Sequence, residues 1–258
     1  MITSVQNTRI KWVRSLQTSS RERRQSDAFV VEGARMAEEA LESGSLPQLV
    51  LYTEEFEKRA AAVLQKFTSI DTTLEAVSPH VMKSASDTQH PQGILVVLPL
   101  VSFLPPDSPD LVLIPDCMRD PGNMGSMMRS AAAAGVDAVF IPPESVDPYA
   151  PKVLRAAMGA HFKLPIARMG WDEIARQLES MRVFTASAHE GKSYDQVDMT
   201  QPLALIIGGE AAGASIEAGR LTSEYITIPM PGEIESLNAA AAAGILLFEA
   251  VRQRKRTK

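Results

Sequence analysis

The sequence predicts an α/β fold, and three observations lead there. Helical stretches alternate with short β-branched runs along the whole chain. Several of those runs, "LVLIP" (111–115) and "LALIIG" (203–208) among them, are almost uninterruptedly apolar, as strands buried on both faces of a parallel sheet must be. Four prolines in "PLVSFLPPDSPD" (99–110) read as a stiff connector between two such alternations. The expected division is a smaller domain over 1–98, a linker over 99–109 and a larger domain over 110–258.

In the first domain a basic amphipathic helix is expected at about 9–17, followed by the strand "FVVE" (29–32). The helix "GARMAEEALESG" (33–44) closes on Gly44, where a glycine can end a helix. A strand at 48–52, a helix at about 55–67 and the strand "GILVVL" (93–98) complete this part. Beyond the connector, strands are expected at 111–115, 137–141, 182–187, 203–208 and 225–230. Helices are expected at about 123–134, 149–159, 171–181 and 236–253.

At 258 residues, with 45% apolar and 22% charged residues, the composition is that of a globular chain. No apolar run reaches a membrane-spanning length, and the basic start "MITSVQNTRIKWVRSL" lacks the apolar core of a signal peptide. The single cysteine, Cys117, excludes an internal disulfide and fits a reducing cytoplasm. His80, His90, His161 and His189 are scattered and read as surface or core residues, so no metal site is expected. Neither a G-x-S-x-G elbow, a P-loop nor a dinucleotide fingerprint is present.

Charge is unevenly spread. Arg9, Lys11, Arg14, Arg21, Arg23 and Arg24 against Glu22 leave the first 24 residues at +5, and the tail from Arg252 adds another +5. With −5 overall, everything between carries −15. Basic ends of this kind suit either solvation or a polyanionic partner.

Three loops leave the carboxyl ends of expected strands, where parallel sheets bind ligands. Strand 111–115 runs into Asp116, Arg119, Asp120 and "PGNMG"; strand 203–208 runs into "GGEAAG" with Glu210; strand 225–230 runs into "PGEIESLN". Each combines a glycine-bearing turn with polar side chains at a helix start. Arg129 lies inside the apolar run "DPGNMGSMMRSAAAAG" (120–135), one turn after Gly125, which leaves room beside a guanidinium suited to phosphate or carboxylate. Asn123 and Ser236 stand equally well as helix caps, and Glu210 as a solvated carboxylate. The five alanines and glycine of 239–244 require something to pack very close to that helix, either another helix of the chain or a second subunit.

Taken together, "RDPGNMGSMMRSA" (119–131), "LIIGGEAAGAS" (205–215) and "ITIPMPGEIESLNAAAAAGILLFEA" (226–250) resemble the SpoU (TrmH-like) family of RNA ribose 2′-O-methyltransferases, in the SPOUT superfamily. "PKVLRAAMGAHFKLPI" (151–166) is similar to the family's strand–helix link, and the N-terminal stretch to the substrate-binding domain of many members. The chain departs from the family in "GGEAAG", where G-[SN]-E-G-x-G is common, and in Ala239-Ala240, where Val-Ser is frequent.

The resemblance implies a C-terminal α/β-knot domain with a deep trefoil knot, a rare exception to the rule against knotting, and an N-terminal domain like that of ribosomal protein L30e. It implies S-adenosyl-L-methionine as cofactor, a homodimer through the knot region, and RNA as substrate, ribosomal RNA before transfer RNA. Asn123, Arg129, Glu210, Ser236 and Asn238 match the family's active-site positions; Gly208, Gly209, Ile228, Pro229 and Leu237 match cofactor contacts. On this reading Asn123 and Asn238 orient Arg129 and the ribose, Glu210 fixes the loops, and Ser236 bonds the substrate backbone. Arg9, Lys11, Arg14, Arg21, Arg23 and Arg24 become candidate phosphate contacts. A cytoplasmic enzyme is expected, without membrane or metal. The rival expectations are the same chemistry on transfer RNA, or an RNA-binding assembly factor that kept the fold without turnover.

Overall fold

A computed structural model describes residues 1–70, 72–100, 105–210, 213–232 and 234–256. The part of the expected linker at 101–104 lies outside the described residues. The chain divides into two compact units: the residues before the connector together with Tyr149–Phe162, and the remainder.

The first unit opens with α1 (Thr8–Thr18) and α2 (Ser20–Gln25), then β1 (Ala28–Glu32), α3 (Ala34–Glu42), β2 (Leu49–Tyr52) and α4 (Glu54–Thr68). β3 (Thr73–Ala76), α5 (Pro79–Ala85) and β4 (Ile94–Pro99) follow. The sheet order is β1-β4-β2-β3, with β4 antiparallel to both neighbours and β3 parallel to β2. Alternation along the strands builds two cores at once. Phe29, Val31, Val50, Val96 and Leu98 share one with Phe56 and Phe67 of α4; Val30, Leu49, Leu51, Leu95 and Val97 share the other with Ile10, Val13 and Leu16 of α1.

The second unit begins with β5 (Leu111–Asp116), α6 (Pro121–Ala134) and β6 (Ala138–Ile141). The chain then returns to the first unit for α7 (Pro151–Ala157) and a 3₁₀ turn at Ala160–Phe162, which the sequence division had placed in the larger domain. Apolar burial decides this placement: the Tyr149 ring lies 5.0 Å from that of Phe29, and Leu154 and Phe162 join the same core. Back in the second unit come β7 (Ile166–Arg168), α8 (Trp171–Gln177), β8 (Arg182–Ala186), β9 (Lys192–Ser193), β10 (Leu203–Gly208), α9 (Ile216–Leu221), β11 (Glu224–Thr227) and α10 (Ala239–Arg256).

All pairings of this second sheet, ordered β7-β6-β5-β10-β8-β11-β9, are parallel. Its strands are buried throughout the centre, as their continuous apolar runs require. β5, β10, β8 and β11 stand side by side, so their carboxyl ends deliver four loops to one edge of the unit. α6 and α10 pack on each other, which answers the alanine run: Ala239, Ala240, Ala243, Leu246 and Leu247 are buried, while Ile245 and Phe248 stay exposed.

The basic N-terminal set separates into different roles. Arg23 is 4% exposed, and its Nη1 donates to the Leu16 carbonyl at the end of α1 at 2.5 Å. Arg9 pairs with Glu75. Lys11, Arg14, Arg21 and Arg24 are exposed. Arg23 therefore ties α1 to α2 and leaves the set of candidate phosphate contacts. Arg23→Ala should strand a buried carbonyl and cost about 1–3 kcal/mol, lowering the thermal midpoint by several degrees, whereas Arg24→Ala should leave the melt unchanged.

Candidate active site

The site is built from backbone turns whose capping leaves particular side chains free. At the end of β5, Asp116 is fully buried and its Oδ2 accepts the Ser215 N–H at 2.5 Å, tying this loop to the one after β10. Pro121 opens α6, and the Asp120 carboxylate caps it by accepting the Asn123 N–H at 2.7 Å. The cap is thus Asp120, so the Asn123 side chain is available for tertiary contacts. Its Nδ2 donates to Glu210 Oε1 at 2.5 Å, and its Oδ1 accepts from Asn238 Nδ2 at 2.9 Å.

Asn238 resolves the second capping alternative. Its Oδ1 accepts the N–H groups of Ala240 and Ala241 at 3.0 and 3.2 Å, which makes it the cap of α10 and moves the helix start from the expected 236 to Ala239. With the oxygen occupied, Nδ2 must face the site, where it also lies 3.3 Å from Glu210 Oε1. Three residues, from the first turn of α6, the loop after β10 and the cap of α10, close a hydrogen-bonded triangle, and Glu210 is its shared acceptor.

The loop after β10 folds back tightly on itself and meets the loop after β5 with backbone against backbone. A Cβ on Gly208 would fall 2.3 Å from the Gly213 carbonyl carbon, and one on Gly209 would fall 2.4 Å from the Cys117 carbonyl oxygen. No side chain fits at either position. The thiol of Cys117, beside them, is pushed above its ordinary pKa by burial and by the Asp116 carboxylate, which disfavours the thiolate.

Beyond the ends of β8, β10 and β11 lies a cavity of about 790 Å³. Of the residues singled out in the sequence, Gly208, Gly209, Ile228 and Leu237 line it, together with Glu210, Ser236 and Asn238. Pro229 and Asn123 lie outside its lining; Asn123 joins it through the triangle. Arg129 is exposed on α6 and forms no hydrogen bond or ion pair with Asn123 or Asn238, so the expectation that these amides orient it within one chain is not met. Both amides are already committed to Glu210 and to each other.

A fourth loop, after β8, was not singled out in the sequence. Ser187 donates its N–H to the Ile226 carbonyl at 2.9 Å, and its Oγ accepts the N–H groups of His189 and Glu190, both at 3.3 Å. This turn sets His189 and Glu190 along the cavity. His189 is exposed, in keeping with a surface residue, and in addition lines the cavity. The stretch "ASAHEG" lacks a following helix, the feature that marked the other loops, and its only signal was its place after a buried strand.

Residues 110–248 match the SpoU rRNA Methylase family, and residues 7–96 match the MRM3-like substrate binding domain. The chain is 31% identical to the 23S rRNA (guanosine(2553)-2′-O)-methyltransferase RlmP of Bacillus subtilis, over 96% of this chain and 97% of that one. The SpoU methyltransferase AviRb from Streptomyces viridochromogenes, solved in complex with AdoMet, superposes with a TM-score of 0.88 at 30% identity, over 97% of this chain and 99% of that one. An AdoMet-bound rRNA methyltransferase from Sinorhizobium meliloti gives a TM-score of 0.86 at 28% identity, covering 97% of both chains. Motif, fold and site geometry converge: the chain belongs to the SpoU rRNA methylase family.

Proposed function

We propose that this protein transfers a methyl group from S-adenosyl-L-methionine to a ribose 2′-oxygen of ribosomal RNA. The carrying observation is the Asn123–Glu210–Asn238 triangle, which locks three loops at a cavity of a size that takes a nucleoside-bearing ligand. The lining suits the cofactor chemically. Ile207, Ile228 and Leu237 offer apolar surface to a base, and carboxylates face the same space for a cationic group. The names of the relatives favour ribosomal over transfer RNA.

When bound, the cofactor supplies an electrophilic methyl group on a sulfonium. The chain's share of the work is orientation and charge. Glu210, held by two amides, keeps the loops in register and is not a free base. The exposed hydroxyl of Ser236 bonds the RNA backbone. The Arg129 guanidinium grips the target phosphate and stabilises the developing alkoxide. The 2′-proton leaves to that phosphate or to water.

A homodimer through α6 and α10 belongs to this reading, because their pair leaves Ile245 and Phe248 exposed on α10. The trefoil knot, the L30e-like character of the first unit and a cytoplasmic location belong to it too. The close backbone contact of Gly209 in the loop after β10 with Cys117 in the loop after β5 supports the knot. For RNA, Lys11 and Arg14 line a groove of about 250 Å³ with Ser15 and Thr18, and Arg21 and Arg24 continue the exposed positive charge.

A labelled methyl-transfer assay on ribosomal RNA, with mapping of 2′-O-methylated positions, tests the activity; incorporation into transfer RNA alone, or into no RNA, overturns the assignment. Arg129→Ala should reduce transfer by about 10²-fold or more with cofactor affinity unchanged, read by equilibrium dialysis. Parallel loss of both would contradict its role. Replacing Lys11 and Arg14 by Ala should weaken RNA binding and reduce the slope of log K against log salt by roughly one per residue.

A further inference from the structure

Resting on the reading of the cavity as the methyl-donor site, the geometry points to Glu190 and Glu235 as charge-selecting residues that favour the cationic donor over its neutral product. Among the described residues, three glutamates line this cavity: Glu190 from the loop after β8, Glu210 after β10 and Glu235 after β11. Among the described residues lining it there is no lysine or arginine, and His189 is the one histidine. Glu210 is committed to the Asn123–Asn238 triangle, whereas Glu190 and Glu235 are exposed and make no ion pair with a described residue. Arg182 and Lys192, outside the lining, are both paired with Glu224, at 3.2 and 2.6 Å.

Methyl transfer changes the charge of the bound molecule by one unit. The donor carries a sulfonium, an ammonium and a carboxylate, for a net +1; loss of the methyl group turns the sulfonium into a neutral thioether and leaves net zero. A field set by fixed carboxylates therefore acts differently on the two ligands even where their contacts are otherwise alike. The Ser187 turn anchors the backbone at Glu190 and so keeps the residue at the cavity. Because these carboxylates are solvent-exposed, screening limits each to about a two- to threefold effect on affinity. The selection is modest per residue, cumulative, and directed at product release.

The test is calorimetric titration of the full chain with S-adenosyl-L-methionine and, separately, S-adenosylhomocysteine, for the wild type and for a variant carrying Glu190→Gln and Glu235→Gln. The variant should lose about four- to tenfold in affinity for the methionine form, with less than a twofold change for the homocysteine form. In the wild type, raising the salt concentration should weaken the first ligand and leave the second nearly constant. An unchanged affinity ratio in the variant, parallel losses for both ligands, or equal salt sensitivity of the two in the wild type would each overturn the inference. A wild type that binds neither ligand would overturn the cofactor reading of the cavity and this inference with it.

Discussion

The bond from Asn123 to Glu210, closed by Asn238, is the constraint around which the second unit is arranged. Its members come from loops after β5 and β10 and from the start of α10, with 87 and 115 residues separating Asn123 from its partners. Contacts at such separation stabilise only where the sheet has already brought the strand ends together. The parallel order β5-β10-β8-β11 does so, and local capping decides which side chains remain free to meet. Asp120 caps α6 and releases Asn123; Asn238 caps α10 with its oxygen and turns its amide nitrogen to the site.

That closure depends on close backbone approach. Gly208 and Gly209 sit where any Cβ would strike Gly213 or Cys117, and the buried Asp116 carboxylate clamps the Ser215 N–H from the other side. A site assembled in this manner is stiff at its base, while the polar groups at the cavity, Glu190, Ser236 and Glu235, remain exposed. Stiffness below and exposure above is the arrangement that an alignment mechanism needs, since little covalent chemistry is asked of the protein.

Electrostatics divides along the chain in the same spirit. Uncommitted positive charge gathers on α1 and α2, where Lys11, Arg14, Arg21 and Arg24 stand free of the structural duties of Arg9 and Arg23. The cavity of the second unit is acidic instead. Surfaces of opposite sign thus stand on different parts of the protein, which the overall charge of −5 conceals.

The α/β class, the parallel second sheet, the central strands and the residues of the three loops were legible in the amino-acid sequence, because buried strands need unbroken apolar runs and tight turns need glycine. Three strands escaped it, β3, β7 and β9; all lie at sheet edges, are only two to four residues long and are partly exposed, so the apolar signal is weak. The short helices α2, α5 and α9 escaped for want of enough turns to show a period. Only the tertiary structure decided which polar residues act together. It made Asp120 and Asn238 the caps and sent Tyr149–Phe162 to the first unit through the Phe29 core. It also buried Arg23, left Arg129 outside the triangle and brought His189 and Glu190 to the cavity. Local sequence encodes periodicity and turn chemistry over a few residues; partners 87 or 115 residues apart are selected by how the strands are ordered in the sheet, and no local pattern carries that order.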